Sequence, residues 1–176
     1  MDAHHDQVMR LRGELAQRAA PPRRYFAYST VLDRAAFEAW RAEHGYGGFD
    51  LPEGVIAEAL DVDLAFDFPS RWWGGRVAGL VDRPGAAVFG RLFTVPGVDW
   101  PIVQHKEGAI TGMCVERPVQ VLAGGERLEA TAFATNPARA SLEGPVSPRF
   151  VEALVRGARA AGLPEAYLAR LSRLPP

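Results

Sequence analysis

Few residues of this 176-residue chain have types and spacings that could do chemistry. The body holds two histidines, His44 and His105, and neither has a partner at metal-ligand spacing, so both read as surface residues. His4 and His5 stand near the N-terminus, where a metal would bind only adventitiously. The single cysteine, Cys114, excludes an intrachain disulfide and a Cys-based zinc site. It follows Met113 in a strand-like run and reads as a small buried apolar residue, not a nucleophile with a lowered pKa. No G-x-G-x-x-G, G-x-x-x-x-G-K-[ST] or G-x-S-x-G occurs, so dinucleotide, P-loop and hydrolase-elbow chemistry has no support. What remains is "VQHKEGAITG", in which Glu107 precedes Gly108. A carboxylate there can move protons, although Glu before Gly is by itself an ordinary turn signal. Lys106, the only lysine, reads as a solvent-facing neighbour and not as a second catalytic group.

The elements that must carry these residues are partly punctuated. Val8, Leu11 and Leu15 at helical spacing predict a short helix before "AAPPRR", so residues 1–24 are expected to form a helical or flexible extension to a domain at 25–176. "RYFAYS" predicts a strand, and Asp33 an N-cap for a helix with Ala36, Phe37 and Trp40 inward and Gly45 as its stop. From Leu60 to Phe68 the chain alternates, which predicts a half-buried strand with Asp61, Asp63 and Asp67 in water. "RVAGLV", the turn "DRPG" and "AAVFGRLFTV" predict one hairpin. "CVERPVQVL", Gly124–Gly125 and "RLEATAFAT" predict another. Ser147, Pro148 and Gly162 punctuate a helix burying Phe150, Leu154 and Ala158, and a last helix points Tyr167, Leu168 and Leu171 inward. The fold class is therefore α+β with a largely antiparallel or mixed sheet.

The formal charge is −1, from 20 basic and 21 acidic side chains. It is unevenly spread: residues 25–137 carry −6 and the two ends are positive. A general nucleic-acid binder would need a basic face, so no nucleic-acid partner is expected. No apolar run approaches the roughly 18 residues of a membrane span, and no signal-peptide core is present. A cytoplasmic protein without membrane contact is expected.

Five segments in order resemble the γ-glutamylcyclotransferase family. "YFAYSTVL" looks like its Tyr-Phe-Ala-Tyr-Gly-Ser-Asn-Leu opening, and "WWGGRVAGL" and "PGAAVFGRLFTV" like its Trp-x-Gly-Gly-x-Ala and Pro-Gly-x-x-Val-x-Gly. "EGAITGMCVERPVQV" is similar to Glu-Gly-x-x-x-Gly-x-Tyr, and "SPRFVEALVRGARAAGLPEAYLARL" to its closing Ser-Pro-x-Tyr, Gly-Ala and Gly-Leu-Pro-x-x-Tyr. The resemblance implies a small mixed, largely antiparallel β-barrel flanked by helices. It also implies release of 5-oxoproline from a γ-glutamyl amine or amino-acid compound, with the substrate's own α-amine as nucleophile. Glu107 is then the general acid and base. Tyr28, Ser29, Thr30, Val31, Leu32 and Phe133 are then the substrate-binding residues, and no metal or organic cofactor is implied. The chain departs from the family pattern where Ser29, Thr30 and Val31 replace Gly, Ser and Asn. Phe133, Phe150 and Cys114 stand where tyrosines are usual. Ser29 would crowd a position that needs glycine, and Val31 would resist a left-handed backbone. A catalytically inactive, small-molecule-binding relative is the alternative.

Overall fold

The computed structural model describes residues 3–174. Five strands close into one barrel. They are β1 (Arg23–Ala27), β2 (Val55–Ser70), β3 (Gly75–Val95), β4 (Cys114–Ala123) and β5 (Glu126–Thr135). Around the barrel the order is β1-β3-β2-β4-β5. Every neighbour is antiparallel except β1 with β5, which meet in parallel at Tyr25 and Thr131. Five helices flank it: α1 (Ala3–Gln17), α2 (Arg34–Glu43), α3 (Trp100–Lys106), α4 (Pro148–Ala160) and α5 (Glu165–Leu171). Among the described residues no helix is long and apolar enough to cross a membrane.

The β4–β5 hairpin forms as its sequence indicates, with Gly124 (φ 58°) and Gly125 (φ 85°) in the left-handed turn that a two-residue hairpin requires. The other hairpin differs from expectation. It turns at residues 71–74 and joins β2 to β3, with Ser70 opposite Gly75. "DRPG" does not reverse the chain; it lies inside the single long strand β3. Leu60 pairs with Ala87 and Val62 with Asp82, so the residues between swing out opposite Asp61. Asp61 adopts φ 57°, and its side chain accepts the Gly85 amide at 2.8 Å, holding this excursion in place.

The same irregularity defeats the strict alternation of β2. Ala57, Ala59 and Val62 are buried, but so is Asp63, which the period-two pattern placed in water. Asp63 pairs with Arg170 of α5 and with Arg83, and Asp67 accepts from Thr135 Oγ1 at 2.7 Å. Two of the three aspartates are thus ties between elements, and only Asp61 is exposed. A bulge advances the side-chain phase by one, which moves the following residues to the other face.

β1 sends alternate residues to two cores. Phe26 joins Val77, Val88 and Val121 with Phe150 and Leu154 of α4 and Leu168 of α5. Tyr25 and Ala27 join Val8 of α1, Phe37 and Trp40 of α2, and Ile102 of α3. Val8 is fully buried, and Arg12 of α1 pairs with Asp99 at 2.6 Å, so the first helix lies packed against α3. The terminal helices are as the sequence indicates. Ser147 accepts the Phe150 amide, and Phe150, Leu154, Ala158, Tyr167, Leu168 and Leu171 are all buried.

Candidate active site

A cavity of about 240 Å³ lies where the two cores meet. α3 delivers its acid. This helix has Pro101 in its first turn, and Glu107 is its C-cap. Gly108 follows at φ 81°, a conformation that costs a side chain roughly 1–2 kcal/mol and that glycine adopts freely. The chain then folds back: the amides of Met113 and Cys114 both reach the Gly108 carbonyl. Asn136, at the end of β5, fixes this turn from outside, with its side chain on the Gly112 carbonyl at 2.9 Å and its amide on that of Met113.

Glu107 is half-buried and faces the cavity. Tyr25 donates its hydroxyl to Glu107 Oε1 at 2.6 Å. Burial first, and then the nearby Glu107 charge, push the Tyr25 phenol well above its usual value, so it stays a donor to the carboxylate. A hydrogen bond to a charged acceptor is worth about 1.5–3 kcal/mol. Tyr28 is likewise raised, by burial and then Glu107, and donates to the Phe133 carbonyl at 2.6 Å.

Of the substrate-binding residues expected from sequence, Tyr28, Ser29, Thr30 and Phe133 line the cavity with Glu107. Val31 and Leu32 do not. They form a single 3-10 turn with Thr30, in which successive side chains point about 120° apart. Val31 is buried among Tyr25, Phe37 and Phe93, and both residues border a separate hollow beside Asp50 and Arg91. The expected backbone strain is also absent. Ser29 is extended at φ −119°, and Ala19 and Asp61 are the non-glycine residues with positive φ among those described.

This turn is held from behind by α4. A Cβ on Gly157 would lie 2.6 Å from the Asp33 amide nitrogen, so only glycine allows this approach. Asp33 does occupy the N-cap position of α2, but its carboxylate makes no cap bond there; it pairs with Arg156, next to Gly157.

Several lining residues escaped the sequence reading. His105 is buried, with Nδ1 2.9 Å from the Tyr46 hydroxyl, and His44 is half-buried with Nδ1 on the Trp40 carbonyl. Both line the cavity, which corrects their reading as surface residues. Lys106 lines it too, with Nζ 5.7 Å from the Trp40 ring centre. Among the described residues it has no ion-pair partner, so it is an unpaired cation at the site and not a solvent-facing neighbour. No helix was expected at 100–106, and without it neither His105 nor Lys106 could be aimed. Trp40, Trp72, Trp73, Phe68 and Phe150 complete an aromatic wall. Cys114 also borders the cavity, but burial, then Glu107 and Asp67, push its thiol up to about 12, which rules out a thiolate at neutral pH. Among the described residues no group of His, Cys, Asp and Glu is placed to hold a metal ion.

The barrel with its flanking helices is shared with solved structures. The human protein loc79017 superposes with a TM-score of 0.74 at 22% identity, covering 88% of this chain and 89% of that one. A γ-glutamyl cyclotransferase superposes at 0.72, also at 22% identity, over 88% and 89%. A yeast γ-glutamyl cyclotransferase specific to glutathione reaches 0.59 at 11% identity, over 86% and 94%. Residues 87–171 match the AIG2-like family. The fold is γ-glutamylcyclotransferase-like. The residues that match the AIG2-like family include Glu107, Phe133 and Gly157, whereas Tyr25 and the Tyr28–Thr30 turn precede them. No curated protein matches the sequence.

Proposed function

We propose that the protein is a cyclotransferase that releases 5-oxoproline from a γ-glutamyl amine or amino-acid compound. The observation that carries this reading is the Glu107 carboxylate, held on one oxygen by Tyr25 and placed on the wall of a small cavity that it shares with Tyr28, Ser29 and Thr30. The substrate's α-nitrogen attacks its own γ-carbonyl carbon. The new C–N bond closes the five-membered ring, and the bond to the leaving nitrogen breaks. Glu107 takes the proton that the α-nitrogen gives up and returns it to the leaving nitrogen. One carboxylate serves both transfers, so no Ser, Cys or His nucleophile is required. Ring closure is intramolecular, and a well-oriented pair of this kind reacts as if at an effective molarity of about 10⁵–10⁸ M. The main task of the site is therefore to hold the glutamyl chain folded.

The cavity suits that task. Its volume is below the roughly 300–1,000 Å³ of drug-sized sites, which fits a single amino-acid head. Lys106 supplies a positive charge for the α-carboxylate, beside the amides that a 3-10 turn leaves open at Ser29 and Thr30. Tyr28, Phe133 and the tryptophans exclude water, which would otherwise hydrolyse the γ-carbonyl to glutamate.

The test is 5-oxoproline production from a panel of γ-glutamyl amines, amino acids and dipeptides. Turnover is expected with at least one member, and Glu107→Gln is expected to lower it by about 10²-fold or more while the circular dichroism stays unchanged. No product from any member, with the fold intact, would leave a binding protein and end this reading.

A further inference from the structure

The chain has four histidines, and all four meet at one place. His4 and His5 come from α1, His44 from the end of α2 and His105 from α3. The His44 and His105 rings line the inner cavity with their centres 5.2 Å apart, and His4 lies 5.6 Å from His105. His5 does not line the cavity; it sits under the turn at His44, Gly45 and Tyr46. It donates Nδ1–H to the His44 carbonyl at 2.9 Å, since a carbonyl can only accept. That carbonyl belongs to the C-cap of α2, where a helix end leaves its acceptors without intrahelical partners. The His5 ring also stacks on Tyr46, centre to centre at 5.0 Å. Gly45 between them has φ 76°, and a Cβ there would lie 3.2 Å from His5 Cε1, so His5 is packed against the whole turn.

Both contacts lead to the cavity. The His44 ring hangs from the backbone that His5 holds, and the Tyr46 hydroxyl lies 2.9 Å from His105 Nδ1. His105 stands in the last turn of α3, which ends at Glu107. α1 is seated firmly enough to aim His5. His5, Val8 and Arg12 follow one another at helical spacing and so share a face. Val8 is fully buried in the core that it shares with Ile102 of α3, and Arg12 pairs with Asp99. Past the helix, the Ala20 and Pro21 carbonyls run so close to Gly97 that a Cβ there would collide with them. Resting on the cyclotransferase reading, we infer that His5 is a positioning residue: by holding the turn from His44 to Tyr46 it sets the His44 and His105 rings on the wall that faces the substrate. Residues of α1 thereby reach the site, although the substrate touches none of His5. Loss of His5 acts on the shape of the pocket, not on the proton transfer by Glu107.

The experiment compares His5→Ala, which removes both contacts, with His5→Asn, whose side-chain amide can donate where Nδ1–H did. Arg12→Gln is the comparison that loosens α1 away from the turn. In two-dimensional ¹H–¹⁵N spectra of the imidazoles, His5→Ala is expected to move the His44 and His105 signals, and His5→Asn to bring them back toward their wild-type positions. With a γ-glutamyl compound that is turned over, His5→Ala is expected to raise KM about fivefold, as for one neutral hydrogen bond, and to change kcat by less than about twofold. His5→Asn is expected to recover most of that KM. His44 and His105 signals that stay in place in His5→Ala, an equal movement in Arg12→Gln, or an unchanged KM would overturn the inference while leaving the cyclotransferase reading intact. The spectra need no substrate, so they decide the role of His5 by themselves if no compound yields 5-oxoproline.

Discussion

Glu107 and Tyr25 form the smallest unit of the candidate site. Their 2.6 Å hydrogen bond fixes the carboxylate that the proposed reaction needs. Tyr25→Phe keeps the ring in its core and removes only the donor. It is expected to lower kcat by about tenfold, the size of one charge-assisted hydrogen bond, with KM changed less. Steady-state kinetics on the variant check this, and an unchanged kcat would show that the bond does not matter to turnover. A second outcome concerns Cys114. Its thiol, pushed up to about 12 by burial and by Glu107, is expected to resist iodoacetamide at pH 7.5, as intact-mass spectrometry would show. At this scale the sequence was legible where a motif carried the residue. Glu107, Tyr28, Ser29, Thr30 and Phe133 converge on one cavity from three separate stretches of chain. Val31 and Leu32 share the motif but not the site, because a 3-10 turn aims each neighbour in a new direction. Tyr25 was read only as part of a strand, since its partner lies 82 positions away.

The elements show why some signals misled. Pro84 and Gly85 mark a change of direction, and the sequence alone does not say whether the chain reverses there or leaves its ladder briefly and returns. The excursion held by Asp61 is the second case. α3 was missed because it is short and almost wholly buried, so it has no polar face to reveal helical periodicity. Conversely, α4 was legible because Ser147, Pro148 and Gly162 punctuate it and its buried face repeats at helical spacing. Gly157 gives α4 its role at the site. Gly157→Ala would bring a methyl to 2.6 Å from the Asp33 nitrogen and push the Thr30–Asp33 turn away from α4. Overpacking of this kind costs about 1–3 kcal/mol. The variant is expected to melt several degrees lower and to lose activity beyond what the lost stability explains. Thermal denaturation and kinetics measured together check this, and an unaltered melting temperature would mean that α4 does not press on the turn.

At the scale of the whole molecule, a polar junction ties the barrel to α3. Glu116 of β4 accepts from Trp100 Nε1 and Gln104 Nε2, each at 2.7 Å, and pairs with Arg23 of β1 at 2.6 Å. Burial alone would raise the Glu116 carboxyl, but the hydrogen bonds from Arg23, Trp100 and Gln104 outweigh it and hold it below its ordinary value. Its folded pKa lies under that of the unfolded chain, about 4.3. The stabilisation it gives is therefore complete above that pH and is lost as pH falls through the folded value. Melting curves from pH 7 to pH 3 are expected to fall more steeply below about pH 4.3 for the wild type than for Glu116→Gln. Parallel curves would show that the junction does not contribute. The barrel itself was legible through five motifs in order, whereas its closure through the single β1–β5 contact at Tyr25 and Thr131 leaves no trace in local pattern. In the proposed reaction the substrate's own α-nitrogen closes the ring while Glu107 moves the protons. The direct test uses a γ-glutamyl substrate carrying ¹⁵N at the α-position, with products read by mass spectrometry. The label is expected to be retained in 5-oxoproline, the leaving amine to be unlabelled, and Glu107→Gln to form both products about 10²-fold or more slowly. Labelled glutamate in place of 5-oxoproline, or 5-oxoproline formed undiminished by the Glu107→Gln protein, would contradict it.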